Sequence, residues 1–419
     1  MMPRWERMIA LVDMNAFFAS IEQLDYPELR HRPVAVTNGI VGTCVITCSY
    51  EARAHGVKTG MHLRQARDLC PAIIQRPARP ERYAEVSTRL MASLETFTPD
   101  IEIFSVDEAF LDFTRCWRLY QDPYALAVAI QQHVRTVSGC TCSIGISGDK
   151  TTAKFAAEQK RPNGITVIPP WEAEARLRDV PVTELCGISD GIGRFLAARG
   201  VYTCGDMKRL PIGVLAKRFG NLGRRIWHMC QGKDYEKLQQ AMPPPKTIGH
   251  GKIMPPNTTD YILLLIYLLH MSEKVAARLR RHRLAAKTFF VGLRASEEWL
   301  AHEYTCAMPV NDGREIFYLG KDLLTHGWGG EGIFQVQICA LDPRPVNNQL
   351  ELFNELDTRR NSCLQAQDKI NRRYGEFTVM PARLLGRSTM PNVISPAWRP
   401  FGHRQTIQDA RADDEAEQS

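Results

Sequence analysis

Two apolar runs of β-strand type carry acidic residues at comparable places in the chain. Residues 8–12 read MIALV and lead directly into Asp13, after which Phe17, Phe18, Ile21 and Leu24 recur at helical spacing. The second run, IEIFSVDEAFLDFT, spans Ile101–Thr114 and holds Asp107 and Glu108 between its two apolar halves. This pattern predicts a strand followed by a helix at the start of the chain. Further along it predicts two strands joined by a hairpin turn or a bulge near residue 105.

The three acids are candidate metal ligands. Consecutive side chains of a flat strand point to opposite faces, so Asp107 and Glu108 can reach one ion only at a turn or a bulge. A single acid at a strand end is most often a turn or capping residue. Two strands that lie side by side and both end in acids would bring Asp13 together with Asp107 and Glu108. Carboxylate oxygens suit Mg²⁺, and three acids can hold two such ions ~4 Å apart.

The remaining periodicity predicts several further elements. Residues 83–97 and 124–137 have the apolar spacing of amphipathic helices, and Cys142–Ile146 reads as a strand. The order strand, helix, hairpin, helix, strand favours a ferredoxin-like arrangement. Residues 241–252, AMPPPKTIGHGK, predict an extended linker. Beyond it, the pattern predicts a long helix over 259–286, strands at 287–294, 304–308 and 332–340, and a helix at 364–374.

Composition narrows the class of protein. A chain of 419 residues favours several domains, and its net charge of +7, from 53 Lys+Arg and 46 Asp+Glu, makes local basic clusters more informative than the total. No apolar run is long enough to cross a bilayer, and the N-terminal residues do not form a signal-peptide pattern. The twelve cysteines form no CxxC pair and are expected to be reduced thiols. We therefore expect a cytoplasmic protein without membrane contact.

Three motifs resemble the Y family of translesion DNA polymerases. They read LVDMNAFFASIEQ, YEARAHGVKTGM and SVDEAFLD, and the resemblance extends to about residue 385. Within the family, the chain is similar to DNA polymerase IV and to the catalytic subunit of polymerase V. The resemblance implies an α+β multidomain, right-hand polymerase. Its expected parts are a ferredoxin-like palm (1–22 and 82–172), fingers (23–81), a helix–hairpin–helix thumb (173–240), the linker (241–252), an α/β little finger (253–345) and a C-terminal tail (346–419).

The resemblance also implies roles for residues around the acids. Asp13, Asp107 and Glu108, with the Met14 carbonyl, would hold two Mg²⁺ ions for phosphoryl transfer to a primer 3′-hydroxyl. Tyr50 and Arg53 would share a helix face suited to phosphate oxygens. The full set implied to bind the incoming dNTP is Phe17, Phe18, Thr47, Tyr50, Arg53 and Arg161, with Phe18 as the steric gate and Ile46 and Cys48 as the roof over the base pair. Lys160 stands beside Arg161 and is an alternative to it.

DNA contacts are expected in the thumb and the little finger. The stretch 181–206 resembles a helix–hairpin–helix, although Ser189 stands where a second glycine is common, and residues 208–233 carry seven basic residues and no acid. The candidate contacts to primer–template DNA are Gly187, Gly191, Gly193, Arg224, Arg225, Arg278 and Arg281. A QLELF sequence resembles the bacterial sliding-clamp-binding motif, with Gln349, Leu350, Leu352 and Phe353 as the clamp contacts. The extension beyond it makes accessory subunits possible partners.

The predicted domains imply low fidelity, and two other functions are alternatives to a polymerase. Every segment has an assignment, so none is left for a proofreading exonuclease, and error-prone synthesis is expected. A non-catalytic scaffold that binds DNA and the clamp is one alternative, and the intact acids argue against it. A nucleotidyl cyclase is another, since cyclases use a similar acidic palm. The basic thumb, the linker and the little finger argue against the cyclase.

Overall fold

The computed structural model describes residues 5–40, 44–296, 298–346, 358–388, 392, 394–395 and 397–407. The chain divides into two compact units. Unit 1 comprises Met1–Met242 together with Met390–Ser419, and unit 2 comprises Pro243–Thr389. Among the described residues, no helix is both long and apolar enough to cross a membrane.

Unit 1 mixes strands and helices up to α7, and its later regular elements in the described residues are helices. Its elements are β1 (Ile9–Met14), α1 (Phe17–Asp25), β2 (Val34–Thr37), β3 (Val45–Cys48), α2 (Tyr50–Ala54), α3 (Leu63–Leu69), β4 (Ile74–Pro77), α4 (Pro80–Ser93), β5 (Ile101–Ile103), β6 (Glu108–Asp112), α5 (Pro123–Ser138), β7 (Cys142–Ser147), α6 (Lys150–Gln159), β8 (Ile165–Val167), α7 (Pro170–Leu177), α8 (Asp190–Ala197) and α9 (Ile212–Met229).

The central sheet of unit 1 has the strand order β5-β6-β1-β7-β8. Strands β5, β6, β1 and β7 are antiparallel neighbours, and the chain passes through α4 and α5 between them, as in a ferredoxin-like fold. Strand alternation divides β1 between two cores. Ala10 and Val12 belong to the cluster that includes the inner faces of α4 and α5, whereas Ile9 and Leu11 pack with α6. By the same alternation, Asp13 lies on the α6 side of the sheet.

The segment between α1 and α4 forms a small lobe. Its three-stranded sheet has the order β3-β2-β4, and α2 and α3 contribute to a core of small and medium apolar side chains. Strand β2 pairs antiparallel with β3 and parallel with β4. This is the segment expected to form the fingers.

Unit 2 is a four-stranded antiparallel sheet, in the order β11-β10-β12-β9, packed against two helices. Its elements are β9 (Ile248–Thr258), α10 (Tyr261–Arg281), β10 (Leu284–Ala295), β11 (Glu298–Val310), α11 (Gly313–His326), β12 (Ile333–Ala340), the short β13 (Arg344–Pro345) and α12 (Thr358–Tyr374). A salt bridge of 2.6 Å between Arg280 and Asp368 joins α12 to α10.

Several predicted boundaries are wrong in this region. Residues 248–252, expected in the linker, belong to β9. Helix α10 ends at Arg281 rather than at residue 286, because Arg283 adopts a positive φ of 54° and Leu284 starts β10. Helix α11 was not predicted. Helix α12 covers the helix expected over 364–374 and begins earlier, at Thr358.

The C-terminal residues do not form one separate tail. Helix α12 belongs to unit 2, whereas the chain from Met390 onward belongs to unit 1. There, Ile394, Trp398 and Ile407 are buried in the core cluster that also contains Val12 and Leu90.

Candidate active site

The structure brings the three acids together at one end of the central sheet. Asp13 and Glu108 are direct partners in the antiparallel register of β1 and β6. The Met14 N–H donates to the Asp107 carbonyl at 3.0 Å, which fixes the turn against the end of β1. Within the turn, the N–H groups of Phe104 and Ser105 donate to the Glu108 carbonyl at 2.9 and 3.1 Å. The acids therefore lie at a hairpin turn between β5 and β6, in which two successive residues oppose Glu108 as in a β-bulge.

Burial and the neighbouring Glu108 carboxylate disfavour ionisation of Asp13 and Asp107. Asp13 is 4% exposed, and burial together with the Glu108 carboxylate raises its pKa from 3.8 to about 9, against the opposing effect of Arg161. Burial and Glu108 also raise the pKa of Asp107, while the Ser105 hydroxyl, which donates to Asp107 Oδ1 at 2.7 Å, lowers it. Negative charge is concentrated here beyond what the surroundings stabilise, as expected for a cation site.

Two basic side chains from α6 and the residues after it neutralise part of this charge. Lys154 Nζ lies 2.5 Å from Glu108 Oε1, and the Arg161 guanidinium pairs with Asp13. Lys154 was not predicted as a site residue, although its position in α6, on the same side of the sheet as Asp13, follows from the fold. Lys160, the alternative to Arg161, is exposed. Arg161 is exposed as well, but its guanidinium is the one that pairs with Asp13.

The carboxylate oxygens of the three acids are the kind of ligand that divalent metal ions such as Mg²⁺ prefer. The carboxylates of Asp13, Asp107 and Glu108 are hard oxygen donors, and the raised pKa of Asp13 reports the crowding that a bound cation would relieve. Over the described ranges, no group of three or more His, Cys, Asp or Glu side chains is already arranged as a metal site. Binding would thus require the carboxylates to exchange Lys154 and Arg161 for metal ions.

The lobe expected to form the fingers adds a second group of polar side chains. The Ser49 side chain caps α2 by accepting from the Ala52 N–H, which starts the helix that carries Tyr50 and Arg53. The Arg53 guanidinium lies over the Tyr50 ring, 4.8 Å from its centroid. Burial raises the pKa of Tyr50, and the charges of Arg53, Arg161 and Asp13 also act on it, so this group lies close to the acids.

The predicted roof residues divide between two environments. Ile46 is half-buried and packs towards the central core of unit 1, as does Tyr50. Cys48 is fully buried in the core of the small lobe, where its thiol contacts the Val57 carbonyl, so it cannot lie over a base pair. The expectation for Cys48 is therefore wrong. Cys44, two residues before Ile46, is exposed. Thr47 is half-buried and pairs with Val36 across β2 and β3.

The aromatic pair at the start of α1 is fixed by packing. Phe17 is 2% and Phe18 is 9% exposed, so Phe18 retains more accessible surface. The Phe18 ring stacks on Tyr83, with centroids 4.3 Å apart and planes 9° from parallel. The Tyr83 hydroxyl donates to Glu22 at 2.8 Å, which fixes the stacked pair in position.

The glycines and arginines predicted to contact DNA have different environments. Gly187 has a positive φ of 96° in the turn before α8, whereas Gly191 and Gly193 lie inside α8 and do not form the turn. A clearer helix–turn–helix lies within α9, which breaks at Gly220 with φ 61°. Gly223 permits close contact there, since a Cβ at this position would lie 2.2 Å from the Leu215 carbonyl.

Of the predicted arginine contacts, Arg224 fits the expectation best. It is exposed and follows directly after Gly223. Arg225 instead pairs with the buried carboxylate of Asp234 at 2.8 Å, and Arg278 donates to the Gly249 carbonyl at 3.0 Å, so both are engaged within the chain. Arg281 is half-buried. Gln349, Leu350, Leu352 and Phe353 lie outside the described residues.

Three family models match the chain. They are the impB/mucB/samB family at residues 12–158, the C-terminal domain of the same family at residues 245–352, and the DNA polymerase-iota thumb domain at residues 183–234. The first match contains the three acids, and the third contains the break at Gly220.

Comparison of the whole chain with individual proteins also finds DNA polymerases. DNA polymerase IV of Moorella thermoacetica is 34% identical over 383 residues, covering 88% of this chain and 94% of that protein. DNA polymerase IV of Methanoculleus marisnigri is 36% identical over 292 residues, covering 69% and 81%. A solved Y-family DNA polymerase chimera matches with a TM-score of 0.71 and 25% identity, covering 81% of this chain and all of the chimera.

Proposed function

Because this chain belongs to the Y family of translesion DNA polymerases, we propose that Asp13, Asp107 and Glu108 form the site where a deoxynucleotide is joined to a primer 3′-hydroxyl. The chain is a DNA-directed DNA polymerase, and its substrates are primer–template DNA and nucleotides. The observation that carries the proposal is the register of Asp13 opposite Glu108, with Asp107 held beside them in the turn.

Y-family polymerases use divalent metal ions, and this site would take two Mg²⁺. Asp13, Asp107 and Glu108 would hold them, with the Met14 carbonyl as a further oxygen ligand. When bound, the ions supply charge stabilisation for the attacking oxygen and for the leaving pyrophosphate. The hydrogen bond from Ser105 holds the Asp107 carboxylate in place.

The nucleotide would lie between the acids and α2. Tyr50, Arg53 and Thr47 would contact the triphosphate, and Arg161 could exchange the Asp13 carboxylate for a phosphate oxygen. Phe18 would exclude a ribose 2′-hydroxyl, because its ring is fixed by stacking on Tyr83. Ile46 would cover the nascent base pair, and exposed Cys44 is a better second candidate for that role than Cys48.

Contacts beyond the site extend the proposal. The exposed Arg224, next to the α9 turn, and Gly187 are the best-placed thumb contacts to the DNA backbone. The sequence Gln349–Phe353 would bind a sliding clamp, which raises the effective concentration of the polymerase at the primer end. Accessory subunits would be further partners of the chain. Such an enzyme would serve DNA damage tolerance without proofreading.

Substitution of the turn acid tests the catalytic assignment. We expect Asp107→Ala to slow primer extension by about a thousandfold or more, since several kcal/mol of charge stabilisation are lost, while primer–template binding is retained. Single-turnover extension and a DNA-binding titration measure the two effects. Asp112→Asn, at the other end of β6, is the matched control and should extend primers normally. Normal turnover by Asp107→Ala would refute the site and would favour the scaffold alternative.

A further inference from the structure

Residues 394–395 and 397–407 form an integral part of unit 1. Trp398 is fully buried in the central core, and its indole N–H donates to the Ile407 carbonyl at 3.1 Å. Ile394 and Ile407 are each 4% exposed in the same cluster. A segment fixed by a buried tryptophan and two buried isoleucines is part of the folded domain.

This segment carries two arginines to the turn between β5 and β6, which holds Asp107. Arg399 and Arg404 line a cavity of about 400 Å³ whose other walls include Phe104, Ser105, Asp107 and Glu108. Arg399 directly follows the buried Trp398 in the sequence. The packing of Trp398 therefore fixes the backbone position from which the Arg399 side chain enters the cavity.

Arg399 is buried without a full set of partners. It is 6% exposed, and its Nε is a buried donor that no described residue accepts from. The nearby carboxylate of Glu102 already accepts from Lys150 at 2.7 Å and from the Gln239 N–H at 2.8 Å. Burial and the charge of Arg404 lower the pKa of Arg399. Two neighbouring guanidinium groups, one with an unpaired buried donor, have the chemistry of an anion site.

The acids separate these arginines from the cations expected to bind the triphosphate. Arg161 pairs with Asp13 on β1, whereas Arg399 and Arg404 border the β5–β6 turn, and β6 lies between β5 and β1 in the sheet. In phosphoryl transfer, the attacking and leaving oxygens lie roughly in line on opposite sides of the phosphorus. If the triphosphate lies on the Arg161 side, the strand that supplies the attacking hydroxyl approaches from the turn.

We propose that Arg399 and Arg404 form a binding site for a backbone phosphate of the primer strand near its 3′ end. The inference rests on the proposed function and deepens it, because it adds the C-terminal segment to the DNA-binding surface of the palm. Arg399, held by Trp398, is the fixed part of the site. Arg404 is half-exposed and can meet a phosphate from solvent.

Binding of primer–template DNA without nucleotide, over a series of salt concentrations, tests the site. We expect Arg404→Ala to weaken binding about tenfold and to reduce the slope of log K against log salt by roughly 0.9, the value for one phosphate contact. Arg404→Lys should retain most of that slope. Arg115→Ala is the control: Arg115 is exposed in the same unit, beyond the far end of β6, and its loss should change neither quantity.

Three results would overturn the proposal. Arg404→Ala could bind DNA like Arg115→Ala, which would leave the arginine without a role in binding. It could bind DNA more tightly, which would make the segment a competitor of DNA. It could instead raise the KM for dNTP at saturating DNA with unchanged DNA affinity, which would place a triphosphate in the cavity. Thermal unfolding verifies folding of each variant, and Asp107→Ala separately reports whether the proposed function holds.

Discussion

At the scale of single residues, the fold places Asp13 where its ionised form is disfavoured. Asp13 has a pKa of about 9 in the folded chain, against 3.8 ordinarily, because it is buried beside Glu108. The folded state therefore binds more protons than the unfolded state between these two pH values. The free energy of unfolding must then fall as pH rises through that window. Such a site is stable only because the rest of the domain stabilises it.

Asp13→Asn should consequently stabilise the protein in the absence of divalent ions. At pH 8 we expect the Tm to rise by at least ~2–4 °C, the shift that ~1 kcal/mol produces in a domain of this size. The fall of Tm between pH 6 and pH 9 should also become shallower. Differential scanning calorimetry in the presence of a chelator measures both, with Asp112→Asn as the control. A lower Tm, or an unchanged pH dependence, would contradict the crowding of charge described here.

Phe18 and Phe17 are adjacent and yet should behave differently on substitution. Phe18→Ala removes the ring that stacks on Tyr83 and opens space next to the site. We expect discrimination against ribonucleotides to fall by about 10- to 200-fold, the effect of one small group in a rigid pocket. The ratio of kcat/KM for dNTP and rNTP measures this. Phe17→Leu, in the core, should cost stability and leave the ratio unchanged; the reverse result would assign the gate to Phe17.

At the scale of elements, the sequence predicted helices with regular apolar faces well and missed elements whose boundaries lack the usual signals. Helices α4 and α5 have regular apolar faces and were predicted within a few residues. Strand β9 was missed because Pro255 and Pro256 argue against a strand, but β9 is at the sheet edge, where proline is tolerated. The end of α10 was missed because no glycine or proline marks it; Arg283 provides the positive φ instead.

The C-terminal segment gives an element-scale prediction. Trp398→Ala should lower the free energy of unfolding by about 3–5 kcal/mol, as for other large-to-small substitutions of a buried tryptophan. Urea unfolding of the full chain measures the loss. Trp171→Ala is the matched control, since Trp171 lies in the same unit and is 45% exposed, and it should cost much less. Equal effects of the two substitutions would show that the segment does not stabilise unit 1.

At the scale of the whole molecule, binding to DNA and to a clamp should be separable. Combined Leu352→Ala and Phe353→Ala substitutions should shorten the products made on clamp-loaded DNA and leave extension of a short primer without the clamp unchanged. Product length on a long single-stranded template, with and without the clamp, distinguishes these effects. Equal product lengths from the wild type and the variant on clamp-loaded DNA would remove the clamp from the proposal.

The sequence by itself predicted the three acids as one candidate site, and it determined the ferredoxin-like order of elements and the family. These depend on local order along the chain: an apolar run that ends in Asp13, a short turn that holds Asp107 and Glu108, and regular helical spacing. The motifs also identified Tyr50 and Arg53, because both lie on the same short helix. Interactions between residues close in sequence can be predicted without a structure.

Only the tertiary structure decided what depends on partners distant in the chain. It buried Cys48, engaged Arg225 with Asp234, and brought Lys154 to Glu108 and Arg161 to Asp13. It also placed Arg399 and Arg404 beside the turn between β5 and β6, about 300 residues away in sequence. Exposure and pairing are properties of packing between remote segments, and no local pattern of apolar and polar residues specifies which segments will meet.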